Sequence, residues 1–319
     1  MATHRVCAAI TVNYISYSAW TLLNKYQFEP LERGGLGVKT PILATSAQML
    51  LAGLIAAVVV LGVGVGRGAA NLSSPATVLT RIFPLGLSRA IDIGCGNLAL
   101  SMVSVALQQV FKSMLPLFVT VLSVFFFGKV YSRGVWVSLI PIIVGTSMAS
   151  AGEIRAAGGA GVTLAAVACV GRSLKAVLNG YLLELTTERL SPLELLLLEA
   201  PMTGLMLGAV GLALEGGHVM VWSSTIVWGN LVGGALMFFN QASYILLIDL
   251  TSPVTTQIFM NIKMLVLIFV SLLLFPTSTF TWVNCMGALV AGAGSLLYGR
   301  VMLTTSTPTG VPQKIRVAL

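Results

Sequence analysis

Long apolar runs separated by short polar linkers follow one another along this chain of 319 residues. Each run is close to the roughly 20 residues that a helix needs to cross the hydrocarbon core of a bilayer. The linkers are too short to hold a soluble domain. The pattern therefore predicts an all-α polytopic membrane protein, organised as one domain over residues 1–319, with ten transmembrane helices at about 6–27, 40–66, 78–100, 105–127, 134–151, 160–185, 193–214, 222–247, 253–275 and 281–302.

The composition agrees with this prediction and suggests an orientation. The chain is 56% hydrophobic and only 9% charged, with a mean hydropathy of +0.94, whereas the surface of a soluble domain needs far more charge. If the N-terminus is cytosolic, nine basic residues in the linkers, in the tails or near the span ends lie on the cytosolic side and three on the opposite side, which predicts cytosolic chain ends and a cytosolic tail at 303–319. The nine are Arg5, Arg67, Arg81, Lys129, Arg133, Arg189, Arg300, Lys314 and Arg316; the three are Arg33, Lys39 and Arg155.

Several classes of function are disfavoured. The net charge of +8 is scattered along the chain, so it does not indicate binding of nucleic acid. The four cysteines are isolated, which predicts neither a metal site nor a disulfide framework, and no cofactor is expected. The glycines of 62–68 end a membrane helix and follow no strand, and no serine, histidine and acid are arranged for hydrolysis, so we expect no enzyme. Only Met1–Arg5 precede the first run, so we expect neither a signal nor a transit peptide.

The fourth and ninth predicted spans repeat each other. At an offset of 151 residues, Lys112 aligns with Lys263, and the apolar positions that follow align as well: Phe118 with Phe269, Val119 with Val270 and Leu122 with Leu273. Five helices in each half is an odd number, so the second half must enter the bilayer inverted. The pattern predicts two inverted repeats, at about 6–151 and 160–302, the arrangement of secondary transporters whose substrate site lies near the midplane.

Basic residues lie inside these spans, although a charge at the bilayer centre costs about 2.5–3.5 kcal/mol. Lys112 and Lys263 have no acid within one helical turn of sequence. We interpret both as ligands of a phosphate group, because an ammonium offers three donors; pairing with a distant acid is the alternative. Arg172 and Lys175 repel each other at i, i+3 spacing, so they require an anion or a nearby acid, unless both reach an interface.

Other polar residues of the spans allow two interpretations. Arg89 and Asp92, with opposite charges three residues apart, predict a self-neutralising ion pair on one helix face. Asn240, Gln241 and Tyr244 form a polar patch in the eighth span, which either binds sugar hydroxyls or a base or joins neighbouring helices.

Six segments of the chain form a distinctive set: Leu23-Asn24-Lys25, Ile82 to Leu100, Phe111-Lys-Ser-Met-Leu-Pro-Leu-Phe118, Arg172-Ser-Leu-Lys175, Phe239-Asn240-Gln241-Ala-Ser-Tyr244 and Asn261-Ile-Lys263. Together they resemble a known family, the triose-phosphate translocator and nucleotide-sugar transporter branch of the drug/metabolite transporter superfamily. The resemblance covers the chain from about Leu23 to the tenth span.

The resemblance implies ten helices, cytosolic ends and exchange by alternating access, with phosphate held by lysines at the positions of Lys112 and Lys263. Its matching segments add Lys25, Asn97 and Asn261 to the candidate binding residues. Other members of the family's phosphate site are replaced: a histidine, a threonine, a tyrosine and an arginine of the family correspond here to Ile93, Gly96, Phe239 and Met264.

These replacements favour a larger substrate than a triose phosphate. We therefore expect exchange of a nucleotide sugar for a nucleoside monophosphate in the Golgi or endoplasmic reticulum membrane, rather than in a plastid membrane, by a monomer or homodimer. Exchange of a sugar phosphate or phosphoenolpyruvate for phosphate is the alternative. A membrane scaffold or regulatory protein without transport is a second alternative, but it has no reason to keep charges inside the bilayer.

Overall fold

The computed structural model is almost entirely helical. Its α-helices are α1 (Ala2–Phe28), α2 (Pro41–Val63), α3 (Phe83–Leu100), α4 (Leu115–Phe127), α5 (Arg133–Ala149), α6 (Glu153–Leu185), α7 (Pro192–Glu215), α8 (Ser224–Leu250) and α9 (Trp282–Thr305). A 3₁₀-helix covers Leu31–Arg33, and a π-helix at Val78–Ile82 leads into α3. The structure describes residues 2–28, 31–63, 78–100, 102–103, 107–108, 111–112, 114–149, 153–185, 191–216, 223–251, 253, 255–257, 259–260, 263 and 282–305.

Five helices in the described part of the chain are long and apolar enough to cross a membrane: α1, α2, α6, α7 and α8. Shorter apolar helices lie at Leu115–Phe126, Arg133–Met148 and Cys285–Val301. The protein is thus helical and multi-pass, as its hydropathy predicts. The helix α6 begins at Glu153, ahead of the predicted boundary at 160, and the predicted span at 253–275 falls mostly outside the described residues. Ten spans in two inverted repeats remain a prediction.

The chain divides into two compact units, and each unit takes segments from both predicted repeats. Unit 1 comprises Met1–Asn97 and Leu178–Ser252, and unit 2 comprises Leu98–Val177 and Pro253–Leu319. In unit 1, α1 packs against α8, and α2 packs against α7 and α8; in unit 2, α5 packs against α9. Each of these helix pairs joins a helix of the first half to a helix of the second half.

Glycines bring the paired helices close together. In unit 1, a Cβ atom on Gly53 would lie 2.9 Å from the Pro201 ring, and one on Gly204 would lie 2.8 Å from the Leu50 side chain. In unit 2, a Cβ atom on Gly145 would clash with the backbone of α9 at Ala291. Since a bilayer provides no hydrophobic driving force between helices, such close backbone contact supplies the van der Waals attraction that holds them together.

Local sequence determines where several helices begin and end. Ser191 and Glu194 form a capping box at the start of α7, with Pro192 as the first helical residue. The helix α4 ends at Gly128, whose φ of 58° is left-handed and is readily adopted by glycine.

The N-terminus of α2 is capped from a distance. Both carboxylate oxygens of Glu215, at the end of α7, accept hydrogen bonds from backbone N–H groups of α2: Oε1 from Ile42 at 2.8 Å and Oε2 from Leu43 at 2.9 Å. Glu215 is buried, and its negative charge faces the positive end of the helix dipole. The carboxylate therefore fixes the register of α2 against α7.

Candidate functional site

The two units differ sharply in charge. Unit 1 contains eight lysines and arginines and nine acids, whereas unit 2 contains ten lysines and arginines and one acid, Glu153. Glu153 is the first residue of α6, and Arg172 lies on the same helix about 28 Å further along, at 1.5 Å per residue. Unit 2 therefore carries a large excess of positive charge.

Two of these basic residues, Arg172 and Lys112, act electrostatically on a third, Lys263. The side chain of Lys263 is buried, and the positive charges of Arg172 and, more weakly, Lys112 bear on it. Lys112 and Lys263 come from equivalent positions of the predicted repeats, and the fold places them in the same unit. That the two lysines share one substrate site remains a prediction. We refer to Lys112, Arg172 and Lys263 as the cationic cluster.

Each lysine of the cationic cluster has a polar or polarisable neighbour on its own segment. Lys112 Nζ donates to Gln108 Oε1 at 2.8 Å, one turn earlier, and Lys263 Nζ lies 3.1 Å from the sulfur of Met260. Both contacts are within reach along a single helical turn and need no tertiary fold. They orient the ammonium groups but supply no negative charge.

Lys175 follows Arg172 by one turn on α6 and is 1% exposed. The predicted i, i+3 pair of like charges thus lies on one helix, where the side chain of Lys175 is buried and that of Arg172 is half-buried. The core beside it contains Val119 of α4 and Tyr298 of α9. The hydroxyl groups of Tyr298 and Thr120 are hydrogen bonded to each other. This packing fixes α4, α6 and α9 around the cationic segments.

The cationic cluster can bind an anion. Ammonium groups contribute compact charges with three donors each, and a guanidinium contributes a planar fork that matches two oxygens of a phosphate group. Several positive charges held near one another by the fold repel unless an anion lies among them. The chemistry therefore favours a ligand with at least one phosphate.

The candidate residues of unit 1 have mostly structural contacts. Asn240 accepts hydrogen bonds from Asn13 Nδ2, through its backbone oxygen at 3.0 Å and its Oδ1 at 3.1 Å, which joins α8 to α1. Asn97 donates to Thr45 Oγ1 at 3.0 Å and joins α3 to α2. These contacts match the interpretation of the polar patch as a helix-joining feature. The remaining candidates are Gln241, which is buried beside Met237 Sδ at 3.6 Å, and Tyr244 and Lys25, which are half-buried; Asn261 lies outside the described residues.

The predicted ion pair on α3 is present. Arg89 Nη1 donates to Asp92 Oδ2 at 3.0 Å, with both side chains buried, and Nη2 lies 4.0 Å from the sulfur of Met237 on α8. The i, i+3 spacing alone was sufficient for this prediction, because residues three apart share a helix face. The pair neutralises itself within unit 1.

A second polar feature of unit 1 was missed from the sequence. The amide of Gln48, in the middle of apolar α2, lies among four other side chains. We refer to these five residues together as the amide cluster. Gln48 Oε1 accepts from Trp20 Nε1 at 2.8 Å, and its Nε2 donates to Asn24 Oδ1 at 3.0 Å and Asn230 Oδ1 at 3.1 Å; Gln27 Oε1 lies 3.5 Å away.

The amide cluster exists because α8 lacks side chains where Gln48 and Gln27 approach it. A Cβ atom on Gly233 would lie 2.7 Å from Gln48 Nε2, and one on Gly229 would clash with Gln27. The only hint in the sequence was a glutamine within a long apolar run, and its partners on α1 and α8 could not be deduced from spacing.

Comparison with known proteins identifies the family. The sequence profile of the Triose-phosphate Transporter family matches residues 5–299. Among Arabidopsis thaliana proteins, the chain is 29% identical to UDP-galactose transporter 1 (72% of this chain, 69% of the relative) and 30% identical to GDP-mannose transporter GONST5 (73% and 69%). It is also 27% identical to a protein named "Probable sugar phosphate/phosphate translocator" over 89% of this chain and 91% of the relative.

A solved crystal structure has a similar fold. The two chains share 14% sequence identity with a TM-score of 0.58, and the match covers 93% of this chain and 99% of the other. This likeness concerns the fold alone. The sequence profile covers nearly the whole chain, and the relatives are transporters rather than enzymes, as the motifs predicted. The chain is therefore a multi-pass membrane protein that belongs to the Triose-phosphate Transporter family.

Proposed function

We propose that this protein is an antiporter that exchanges a nucleotide sugar for a nucleoside monophosphate by alternating access, in the Golgi or endoplasmic reticulum membrane. The observation that carries the proposal is the cationic cluster: the positive charges of Arg172 and Lys112 act on buried Lys263, in a unit whose sequence contains ten basic residues and one acid. Both proposed substrates carry phosphate, so each can neutralise this charge in turn. In exchange, the transporter always changes conformation with an anion bound, so it need not do so with an empty site whose positive charges repel one another.

In this proposal, different residues bind the phosphate groups and the neutral parts of the substrate. Lys112 and Lys263 bind phosphate oxygens, Arg172 contributes a bidentate contact, and Lys175 adds positive charge from the next turn of α6. The neutral sugar and base require donors and acceptors rather than charge. Gln241, Tyr244, Lys25, Asn97, Asn240 and Asn261 are the proposed residues for that part, although Asn97 and Asn240 also join helices.

Four residues of the family's phosphate site are replaced in this chain, and these replacements bear on the size of the substrate. Ile93, Gly96, Phe239 and Met264 occupy positions where a small dianion would otherwise find side-chain donors. A nucleotide sugar spreads its recognition over base, diphosphate and sugar, so it tolerates their loss. Two relatives at 29% and 30% identity are named as UDP-galactose and GDP-mannose transporters, which supports the same choice.

A sugar phosphate/phosphate antiporter is the second candidate. The relative with that name matches 89% of this chain, more than the 72% and 73% matched by the two nucleotide-sugar transporters. The cationic cluster suits either substrate class, since both present a phosphate. The two candidate functions differ in whether the substrate needs a nucleoside for tight binding.

Reconstitution decides between the candidates. Purified protein in liposomes preloaded with nucleoside monophosphates, inorganic phosphate or buffer is offered labelled nucleotide sugars and sugar phosphates in turn. The proposal expects rapid uptake of a nucleotide sugar only into nucleotide-loaded liposomes and without sodium. Uptake of a sugar phosphate driven by internal phosphate would select the second candidate, and equal uptake into empty liposomes would exclude obligate exchange.

A further inference from the structure

Three basic residues meet at one end of the α5–α9 helix pair. The two helices are antiparallel: Gly134, the second residue of α5, lies beside Val301 of α9, with 3.1 Å between a Cβ atom built on Gly134 and Val301 Cγ1. Arg133 and Arg300 each immediately precede a residue of this contact, so their backbones are neighbours although 167 positions separate them in sequence. Lys129 follows the Gly128 cap of α4 in the linker to α5. We refer to Lys129, Arg133 and Arg300 as the basic end of unit 2.

The basic end belongs to the unit with the large excess of positive charge. Arg133 and Arg300 are exposed, and Lys129 is half-buried. The one acid of unit 2, Glu153, begins α6 beyond the opposite end of α5, which is about 25 Å long at 1.5 Å per residue. The basic end therefore presents a concentrated positive surface.

Exposed apolar side chains surround these charges. Phe125 is 80% exposed, Val130 87% and Trp136 41%. In a membrane protein, such side chains next to arginine and lysine mark the boundary between hydrocarbon and head groups, where aromatic rings and basic termini are enriched. This combination of exposed basic and apolar side chains is typical of a surface at the depth of lipid head groups.

We propose that the basic end is a binding site for an anionic phospholipid, whose phosphodiester lies between Arg133 and Arg300 and whose further negative charge reaches Lys129. A guanidinium pair matches phosphate oxygens in bidentate geometry, and the exposed apolar side chains contact the acyl chains. A soluble anion makes only the first set of contacts, which is why the surface favours a lipid. The orientation predicted from the positive-inside bias puts this end in the cytosolic leaflet, where anionic lipids are found.

Native mass spectrometry with titrated lipid tests the proposal. Phosphatidylserine should bind the full-length protein more tightly than phosphatidylcholine with the same acyl chains. The double variant Arg133→Gln/Arg300→Gln should lose about thirtyfold in affinity for phosphatidylserine, since each basic residue near an anionic surface contributes roughly one factor of five to six. Arg133→Lys/Arg300→Lys, which keeps the charge, should bind more tightly than the glutamine variant.

The matched control is Arg5→Gln/Arg81→Gln, which removes two exposed arginines of unit 1 predicted to lie on the same side of the membrane. It should bind phosphatidylserine as the wild type does. Equal binding of both lipids, equal loss in the control, or wild-type binding by the glutamine variant would overturn the proposal. So would displacement of the lipid by millimolar inorganic phosphate, because that result would assign the site to a soluble anion. Melting temperatures in detergent confirm that every variant is folded.

Discussion

Replacing Lys263 by methionine separates substrate binding from folding, because the two effects have opposite signs. Lys263 is 3% exposed, and Arg172 and Lys112 act on it with charges of the same sign. A charge inside the membrane costs about 2.5–3.5 kcal/mol on insertion scales, and methionine fills similar space without charge. We therefore expect Lys263→Met to leave the apparent Tm in detergent unchanged or to raise it.

Exchange should respond in the opposite direction. A charge-assisted bond between the ammonium and a phosphate is worth about 1.5–3 kcal/mol, which corresponds to at least a tenfold loss of affinity. The assay is uptake into nucleotide-loaded liposomes, in which KM should rise at least tenfold or saturation should disappear. Substrate should also raise the Tm of the wild type but not that of the variant.

Lys39→Met is the control, because Lys39 is an exposed lysine in the loop before α2. It should change neither the Tm nor the exchange. If Lys263→Met melted far below the wild type, Lys263 would be a structural residue of unit 2. Wild-type exchange by a well-folded variant would remove Lys263 from the substrate site.

Three further predictions address the scaffold and the orientation. Glu215→Ala should destabilise the protein by about 2 kcal/mol or more, because it leaves two backbone donors of α2 uncapped. The stability of Glu215→Gln should lie between those of the wild type and the alanine variant. Equal melting temperatures of the wild type and both variants in detergent would refute the capping role. Gly233→Ala should lower the Tm by displacing the central amide of the amide cluster, whereas Gly62→Ala, where no atom lies within 4 Å of the new methyl group, should not. A glycosylation sequon inserted at Gly34–Gly37 should be modified in cells and one near Ser73 should not; the reverse gel shifts would invert the predicted topology.

Features governed by local spacing could be predicted from the sequence. The positions of α1, α2, α7 and α8 follow from apolar runs of membrane length, and the Arg89–Asp92 pair follows from i, i+3 spacing. The internal repeat aligned Lys112 with Lys263, and both residues belong to unit 2. Their shared role in binding a phosphate remains a prediction, which depends on the rarity of lysine inside a membrane span.

Features that depend on tertiary contacts were not predictable. Gln48 finds Asn230 at a separation of 182 residues, and Glu215 caps a helix that begins 174 residues earlier. No periodicity connects such positions. The pairing of helices from one half of the chain with helices from the other was not predictable either, because no spacing in the sequence indicates which helices pack together.

That pairing has a consequence for how the protein is made. The helix α2 enters the membrane early, but α7, its main neighbour, begins at Pro192. At translation rates of 5–20 residues per second, α2 waits on the order of 10–30 s for that neighbour. Throughout this interval Gln48 lacks Asn230, so the nascent chain exposes polar side chains to lipid.

The first half of this transporter is therefore expected to depend on membrane chaperones during biosynthesis. A premature stop codon after Ala149 should yield a fragment that quality-control proteases remove, even though α1 and α2 within it are long and apolar enough to cross a membrane.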